Sequence, residues 1–285
     1  MKLSIVESGL FKLDGGAMFG VVPKTLWNKL NPADENNMCT WSMRLLLVEI
    51  DDRKILIDTG MGDKQDERFR SFFHPHGPYS LDGSLSSLEV NPEEITDVFL
   101  THLHFDHDGG AVSRINDELV PTFKHAQYWS NENHYQWAYT PNPREKASFL
   151  KENFVPLQEH GVLNFIAEQQ DIDWLPEISV RFSYGHTEAM MSPIIKLPNG
   201  KRLIYCADLM PSAYHIPMPY VMCYDIRPLE TLKEKTRLLE EAVEFGDILF
   251  FEHDPINQCG TVKRNDRGRI VIDKVFPLSE LDINA

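Results

Sequence analysis

The run Thr101-His102-Leu103-His104-Phe105-Asp106-His107-Asp108-Gly109-Gly110 places three histidines and a carboxylate within six residues. Imidazole and carboxylate together bind divalent transition metals. His102 and His104 stand two apart, so on an extended chain their side chains point the same way and can meet one ion. Asp106 and His107 come as the chain turns and can address a second ion beside the first. Gly109 and Gly110 permit a tight turn into a helix. The chain has only 11 histidines, so three in one window of six is not a chance cluster.

One hexapeptide cannot complete such a site. Three later segments bring further donors, each after an apolar, strand-like run: His186 after Phe182-Ser183-Tyr184-Gly185, Asp208 after Leu203 to Ala207, and His253 after Ile248 to Glu252. Rigid strands fix the geometry of the residues just beyond them, so strand ends gather functional groups. A donor set without thiolate suits Zn²⁺ best, and also Mn²⁺, Fe²⁺ or Co²⁺. Cys206 stands two residues before Asp208, but its apolar setting marks a core cysteine.

The elements that must position these donors can be read from local pattern. Met1 to Glu7 reads as a strand leading to a turn at Gly15-Gly16. Ser42 to Ile50 and Lys54 to Ile57 are strands separated by Asp51-Asp52-Arg53. Asn91-Pro92-Glu93-Glu94 is a helix start with Asn91 as its cap. Asp97 to Thr101 is a short strand that delivers the histidine run. From Phe123 to Asp173 the pattern predicts helical patches broken by Pro141, Pro143 and Pro156. Ile178, Val180, Phe182 and Tyr184 alternate as one face of a strand. Asn199-Gly200 predicts a two-residue hairpin turn. Leu229 to Phe245 is the clearest helix, with Leu232, Thr236, Leu239 and Val243 as its stripe and Gly246 as its stop. Strands return at Asp247 to Phe251 and Arg269 to Phe276. Sheets covered by helices, in one domain over residues 1–285, are expected.

With these motifs in place, the chain resembles the metallo-β-lactamase superfamily, whose signature is H-x-H-x-D-H followed by a distal His, Asp and His. Asp58-Thr59-Gly60 is similar to the early Asp-Thr-Gly turn of that superfamily, which supports the site from behind its ligands. The resemblance implies an α+β fold, a four-layer αββα sandwich of two mixed β-sheets with helices outside. It implies two divalent metal ions: His102, His104 and His186 hold one, Asp106, His107 and His253 hold the other, and Asp208 bridges them.

Within the superfamily, an Asp at position 208 speaks against the zinc β-lactamases with Cys there, and His104 in place of Glu against the diiron reductases. Only 32 residues follow His253, too few for the helical domain of glyoxalase-II-like enzymes. The stretch Leu13 to Lys24, and Asp208-Leu209-Met210-Pro211 with the aromatic loop through Tyr220, resemble quorum-quenching N-acyl-homoserine lactonases. In some of these a Tyr three residues after the bridging Asp touches the substrate. Here that position is Pro211, with Tyr214, His215 and Tyr220 as nearby substitutes and Phe19 as an apolar wall.

The chemistry expected is opening of a lactone, or cleavage of a related ester. Two cations share a water, lower its pKa and present hydroxide at neutral pH. Asp106 is placed to shuttle a proton and Asp208 to bridge. Phosphotriester or aryl-ester hydrolysis on the same ions is the alternative, and a di-iron redox protein a more remote one.

His74-Pro75-His76 has ligand-like spacing but sits in a Gly/Pro-rich loop without other donors. His125, His134 and His160 are expected to be surface or satisfied core residues, and Trp129, Tyr135, Trp137 and Tyr139 to be core. Formal charge is −15, which repels phosphate backbones and anionic membranes, so neither nucleic acid nor membrane is expected as a partner. No run approaches the roughly 20 apolar residues of a membrane span. Four scattered cysteines without C-x-x-C spacing, and no apolar signal-peptide core near Met1, predict a cytoplasmic protein. A small-molecule substrate is expected, and the resemblance implies a homodimer.

Overall fold

The computed structural model describes residues 1–169 and 171–283. Contacts divide the chain into two units. One comprises Met1–Leu10 and Met43–Gln169; the other comprises Phe11–Ser42 and the described residues beyond 170.

In the first unit the strands are β1 (Lys2–Asp14), β2 (Met38–Ile50), β3 (Arg53–Ile57), β4 (Asp97–Phe99), β5 (Val112–Ile115), β6 (Glu118–Pro121), β7 (Gln127–Ser130) and β8 (Leu163–Phe165). The outer ends of β1 and β2 run on into residues of the second unit. The sheet order is β1-β2-β3-β4-β7-β8, with β5 and β6 forming a separate hairpin. β2 and β3 pair antiparallel across Asp51-Asp52, and β3, β4, β7 and β8 run parallel. Parallel strands are covered on both faces, and all of β4 is buried. The parallel run brings the carboxyl ends of β3 and β4 side by side, the edge where such sheets gather functional groups. Asp58 follows the first and His102 the second.

The core of this unit joins Leu45, Leu47, Leu56, Val98, Phe154 and Leu157. Pro156 does not break its segment as expected. It lies inside the helix Lys151–Glu159, which buries Phe154, Pro156 and Leu157, so packing outweighs the one lost backbone bond. The Asn91 cap is present as a full capping box, but the helix it starts is a single turn, Pro92–Glu94. Likewise β1 ends not in a simple turn but in the short helix Gly15–Phe19, capped by Asp14.

The second unit carries β9 (Ile172–Leu175), β10 (Ile178–Ser183), β11 (Met190–Lys196), β12 (Arg202–Tyr205), β13 (Ile248–Phe250), β14 (Cys259–Arg264) and β15 (Ile270–Phe276) in the order β15-β14-β13-β12-β11-β10-β9. Only β12 and β13 are parallel, so this sheet too is mixed. Asp208 follows β12 and His253 follows β13.

Three local expectations change here. The hairpin of β11 and β12 forms, but its loop runs from Leu197 to Lys201, because Lys196 pairs with Arg202. In β10 the alternation fails at Arg181, which is buried while Phe182 is half-buried. Ion pairs from Arg181 to Asp171 and Glu241, each 2.8 Å, make that burial tolerable. The helix Pro228–Phe245 forms and Gly246 caps it at φ +69°. Its buried face is Thr231, Lys235, Leu238, Leu239 and Ala242; of the expected stripe only Leu239 belongs to it.

Candidate functional site

In the first unit β4 ends at Phe99, and residues 101 to 104 are irregular extended chain rather than strand. The short helix Phe105–Asp108 follows. His102, His104, Asp106 and His107 are all buried. The ring of His102 lies 4.6 Å from that of His104 and 3.9 Å from that of His107, centroid to centroid. Asp106 Oδ2 is 3.9 Å from His107 Nε2. Gly109 and Gly110 follow that helix and begin a single 3-10 turn, Gly109–Ala111. A Cβ on Gly109 would lie 2.0 Å from the Met61 carbonyl oxygen, and one on Gly110 2.3 Å from that of Thr59. Close backbone approach, not turn formation, requires glycine there.

Asp58 organises this cluster. It is fully buried, at φ +59°, a left-handed conformation that Asp tolerates better than most residues. Its Oδ1 accepts from the Thr101 amide at 2.7 Å, and its Oδ2 accepts from the Thr101 hydroxyl at 2.7 Å and from His107 Nδ1 at 3.0 Å. His107 therefore keeps Nε2 for a metal. Nδ1 of His102 faces the Thr101 hydroxyl at 3.0 Å, again leaving Nε2. His104 differs: its Nε2 lies 3.8 Å from Glu145 Oε1, beyond hydrogen-bond reach.

In the second unit Asp208 stands between two imidazoles. Its Oδ2 is 3.1 Å from His186 Nε2 and its Oδ1 is 3.1 Å from His253 Nε2. The other ring nitrogens are committed: His186 Nδ1 to Asp225 Oδ1 at 2.9 Å, and His253 Nδ1 to the Ser42 carbonyl at 2.7 Å. Burial works against a charge on His186, but the carboxylates of Asp208 and Asp225 outweigh it and push the imidazole up to about 10. A divalent ion at Nε2 would displace that proton. Ala207, at φ +45°, turns the chain immediately before Asp208. Such a conformation costs roughly 1–2 kcal/mol outside glycine.

The helix Pro228–Phe245 holds the His186 turn. Glu234 accepts from the amides of Tyr184 and Gly185 at 2.6 and 3.1 Å. A Cβ on Gly185 would meet Thr231 Oγ1 at 2.2 Å.

Of the residues expected to touch substrate, Phe19 and His215 are buried in one stack. Their rings are parallel with centroids 5.2 Å apart, and Trp27 stacks on Phe19 at the same distance. His215 Nε2 donates to the Met18 carbonyl at 2.9 Å and Nδ1 pairs with the Ser212 hydroxyl at 2.7 Å. Burial drives its pKa down to about 3, so the ring is neutral. Tyr220 meets Phe19 edge-on at 6.1 Å, and both Tyr214 and Tyr220 are half-buried.

Sequence reasoning missed Asp225 and Glu234, whose partners lie about 40 to 50 residues away. It placed His134 among surface or satisfied core residues, and the second holds: the ring is fully buried and its Nε2 accepts from the Leu103 amide, between the first two histidines, at 2.8 Å. Cys206 is buried, its thiol raised by desolvation and unsuited to metal binding without cost. His74 and His76 lie in an exposed loop. Trp129 and Trp137 direct their indole N–H groups to Asp97 and Glu145, Tyr135 is core, and Tyr139 is 42 % exposed. No helix among the described residues is long and apolar enough to cross a membrane.

The donor chemistry fits a divalent metal: buried imidazoles, with one ring nitrogen of His102, His107, His186 and His253 held by an oxygen, beside carboxylates and without thiolate. The family model described as the metallo-beta-lactamase superfamily matches residues 45–238. The N-acyl homoserine lactonase of Bacillus cereus is 22 % identical over 268 residues, covering 89 % of this chain and 93 % of that protein. The AttM lactonase of Rhizobium radiobacter is 22 % identical over 173 residues, 60 % of this chain and 62 % of its own length. The match thus spans under two-thirds of AttM. Among solved structures, a probable metal-dependent hydrolase from Staphylococcus aureus superposes with a TM-score of 0.87 at 26 % identity, covering 99 % of this chain and 98 % of that one. AidC, a dizinc quorum-quenching lactonase in complex with a product, gives 0.77 at 20 % identity, covering 98 % and 95 %.

Proposed function

The chain belongs to the metallo-β-lactamase superfamily, and from that membership we propose a metal-dependent hydrolase that opens N-acyl-homoserine lactones at a dinuclear centre. The observation that carries the reading is the commitment of one ring nitrogen in each of His107, His186 and His253 to an oxygen acceptor. That arrangement fixes the tautomer and leaves Nε2 for a metal. His102, His104 and His186 are assigned to one ion, Asp106, His107 and His253 to the other, and Asp208 to both. Zn²⁺ is the ion that best suits this donor set.

When bound, two such ions acidify water and polarise a carbonyl. The rest falls to the chain. Asp208 would be a ligand to both ions, and its negative charge would offset their mutual repulsion. Asp106 accepts the proton of the attacking water and returns it to the leaving alkoxide. Tyr214 and Tyr220, backed by the buried stack of Phe19 and His215, form the wall against which the lactone rests. That wall is apolar apart from its hydroxyls, which suits an uncharged acyl lactone. The test is acid release from N-hexanoyl-L-homoserine lactone in a pH-indicator assay. Metal-loaded protein should release acid well above the metal-free control; equal rates would reject the lactonase reading.

A further inference from the structure

Lys235 is fully buried on the inner face of the helix Pro228–Phe245. Burying an ammonium is expensive unless its donors are met. Its Nζ donates to the carbonyls of Pro217 and Tyr220 at 2.8 and 3.0 Å. Both belong to one loop, Pro211 to Val221. Three of its residues are prolines, Pro211, Pro217 and Pro219. Prolines bring carbonyl acceptors without N–H donors, so such a loop has more acceptors than donors; Tyr220 N already donates to the Pro217 carbonyl at 3.0 Å. Its other end is tied to the first helix of the unit: Cys223 N donates to the Ala17 carbonyl at 2.7 Å and His215 Nε2 to that of Met18 at 2.9 Å. Gly20, at φ +58°, approaches the Val221 carbonyl so closely that a Cβ would lie 2.1 Å from it.

We propose that Lys235 is a positioning residue for substrate binding: its Nζ donates to the Pro217 and Tyr220 carbonyls and so holds Tyr214, His215 and Tyr220 in register with Phe19. The proposal rests on the reading of those residues as the substrate wall. Among the described residues, Lys235 makes no hydrogen bond or ion pair with an assigned metal ligand; its Nζ goes to the two loop carbonyls. A Met or Leu would fill the same space without the desolvation cost but would remove the Nζ donor from the Tyr220 carbonyl and leave the Pro217 carbonyl with the Tyr220 amide alone. The loop would then move as a unit against the Phe19 stack.

The test compares wild type with Lys235→Met, which keeps the length and removes the donor. Hydrogen exchange in the peptide 212–225 should accelerate about tenfold, the effect of losing a buried hydrogen bond. Exchange in β10 to β13 and the metal content should not change. KM for N-hexanoyl-L-homoserine lactone should rise about tenfold while kcat stays within about twofold, the signature of lost ground-state binding. Lys235→Gln, one bond shorter and still a donor, should fall between the two, and it serves if the Met variant does not fold. Unchanged exchange in 212–225, or equal acceleration throughout the unit, would overturn the pin. Faster loop exchange with unchanged KM would overturn the positioning role. Failure of wild type to open the lactone would reject the functional reading alone, since the exchange result does not depend on it.

Discussion

Asp58 and His107 are 49 residues apart in sequence, yet the carboxylate Oδ2 of the first accepts from Nδ1 of the second at 3.0 Å with both side chains fully buried. The same carboxylate holds Thr101, which introduces the histidine run. Removing a partner of this kind costs about 10- to 100-fold in metal affinity. Asp58→Ala should therefore weaken metal binding by that range in a chelator competition, with Asp58→Asn falling between. Equal affinity in the alanine variant would show that His107 needs no orienting partner.

Asp208 is the only carboxylate assigned to both ions. Asp208→Ala should lose at least one metal per chain by elemental analysis, and nearly all turnover, while circular dichroism stays native because β12 is intact. His74→Ala should leave metal content at the wild-type level, since His74 is exposed in a loop. Retention of full metal content and normal turnover by the Asp208 variant would remove the basis for a shared nucleophile.

Gly185→Ala tests the grip of the long helix on the His186 turn. The added Cβ would lie 2.2 Å from Thr231 Oγ1 and 2.4 Å from the Thr231 amide nitrogen. Backbone cannot yield as a flexible side chain does, so the cost should be about 1–3 kcal/mol, as for other overpacked sites. Urea unfolding measures it, and metal affinity should fall with it. An unchanged midpoint would mean that the helix moves away freely.

Burial lowers the Lys235 amine to about 7 from its ordinary 10.5, against the opposing pull of Asp225; His215, which faces it, is neutral. Between those values the unfolded chain keeps a proton that the folded chain has shed. The contribution of Lys235 to stability therefore rises with pH across that window, and its burial cost is felt in full below it. The stability of wild type relative to Lys235→Met should shift in favour of wild type from pH 6 to pH 10 in urea titrations. Parallel pH profiles would show that the amine keeps an ordinary pKa.

The sequence alone determined what is local. The spacing of His102, His104, Asp106 and His107, the Asp58-Thr59-Gly60 turn, the strand-end positions of His186, Asp208 and His253, and the Gly246 stop are properties of consecutive residues. Their spacing and strand-end places are read from the chain itself, whereas the role of the Asp58 turn and the grouping of the donors around two ions came from the resemblance to the superfamily. Tertiary structure decided what depends on which faces meet. It chose Thr231, Lys235, Leu238, Leu239 and Ala242 as the buried face of the long helix, buried Arg181 where alternation called for Phe182, and made Gly109 and Gly110 contact glycines rather than turn glycines. It also supplied Asp225, Glu234 and His134, whose residue types are common and whose partners lie at least 30 residues away. A hydrogen bond across such a span leaves no mark on local spacing, because it exists only once packing has brought the two segments together.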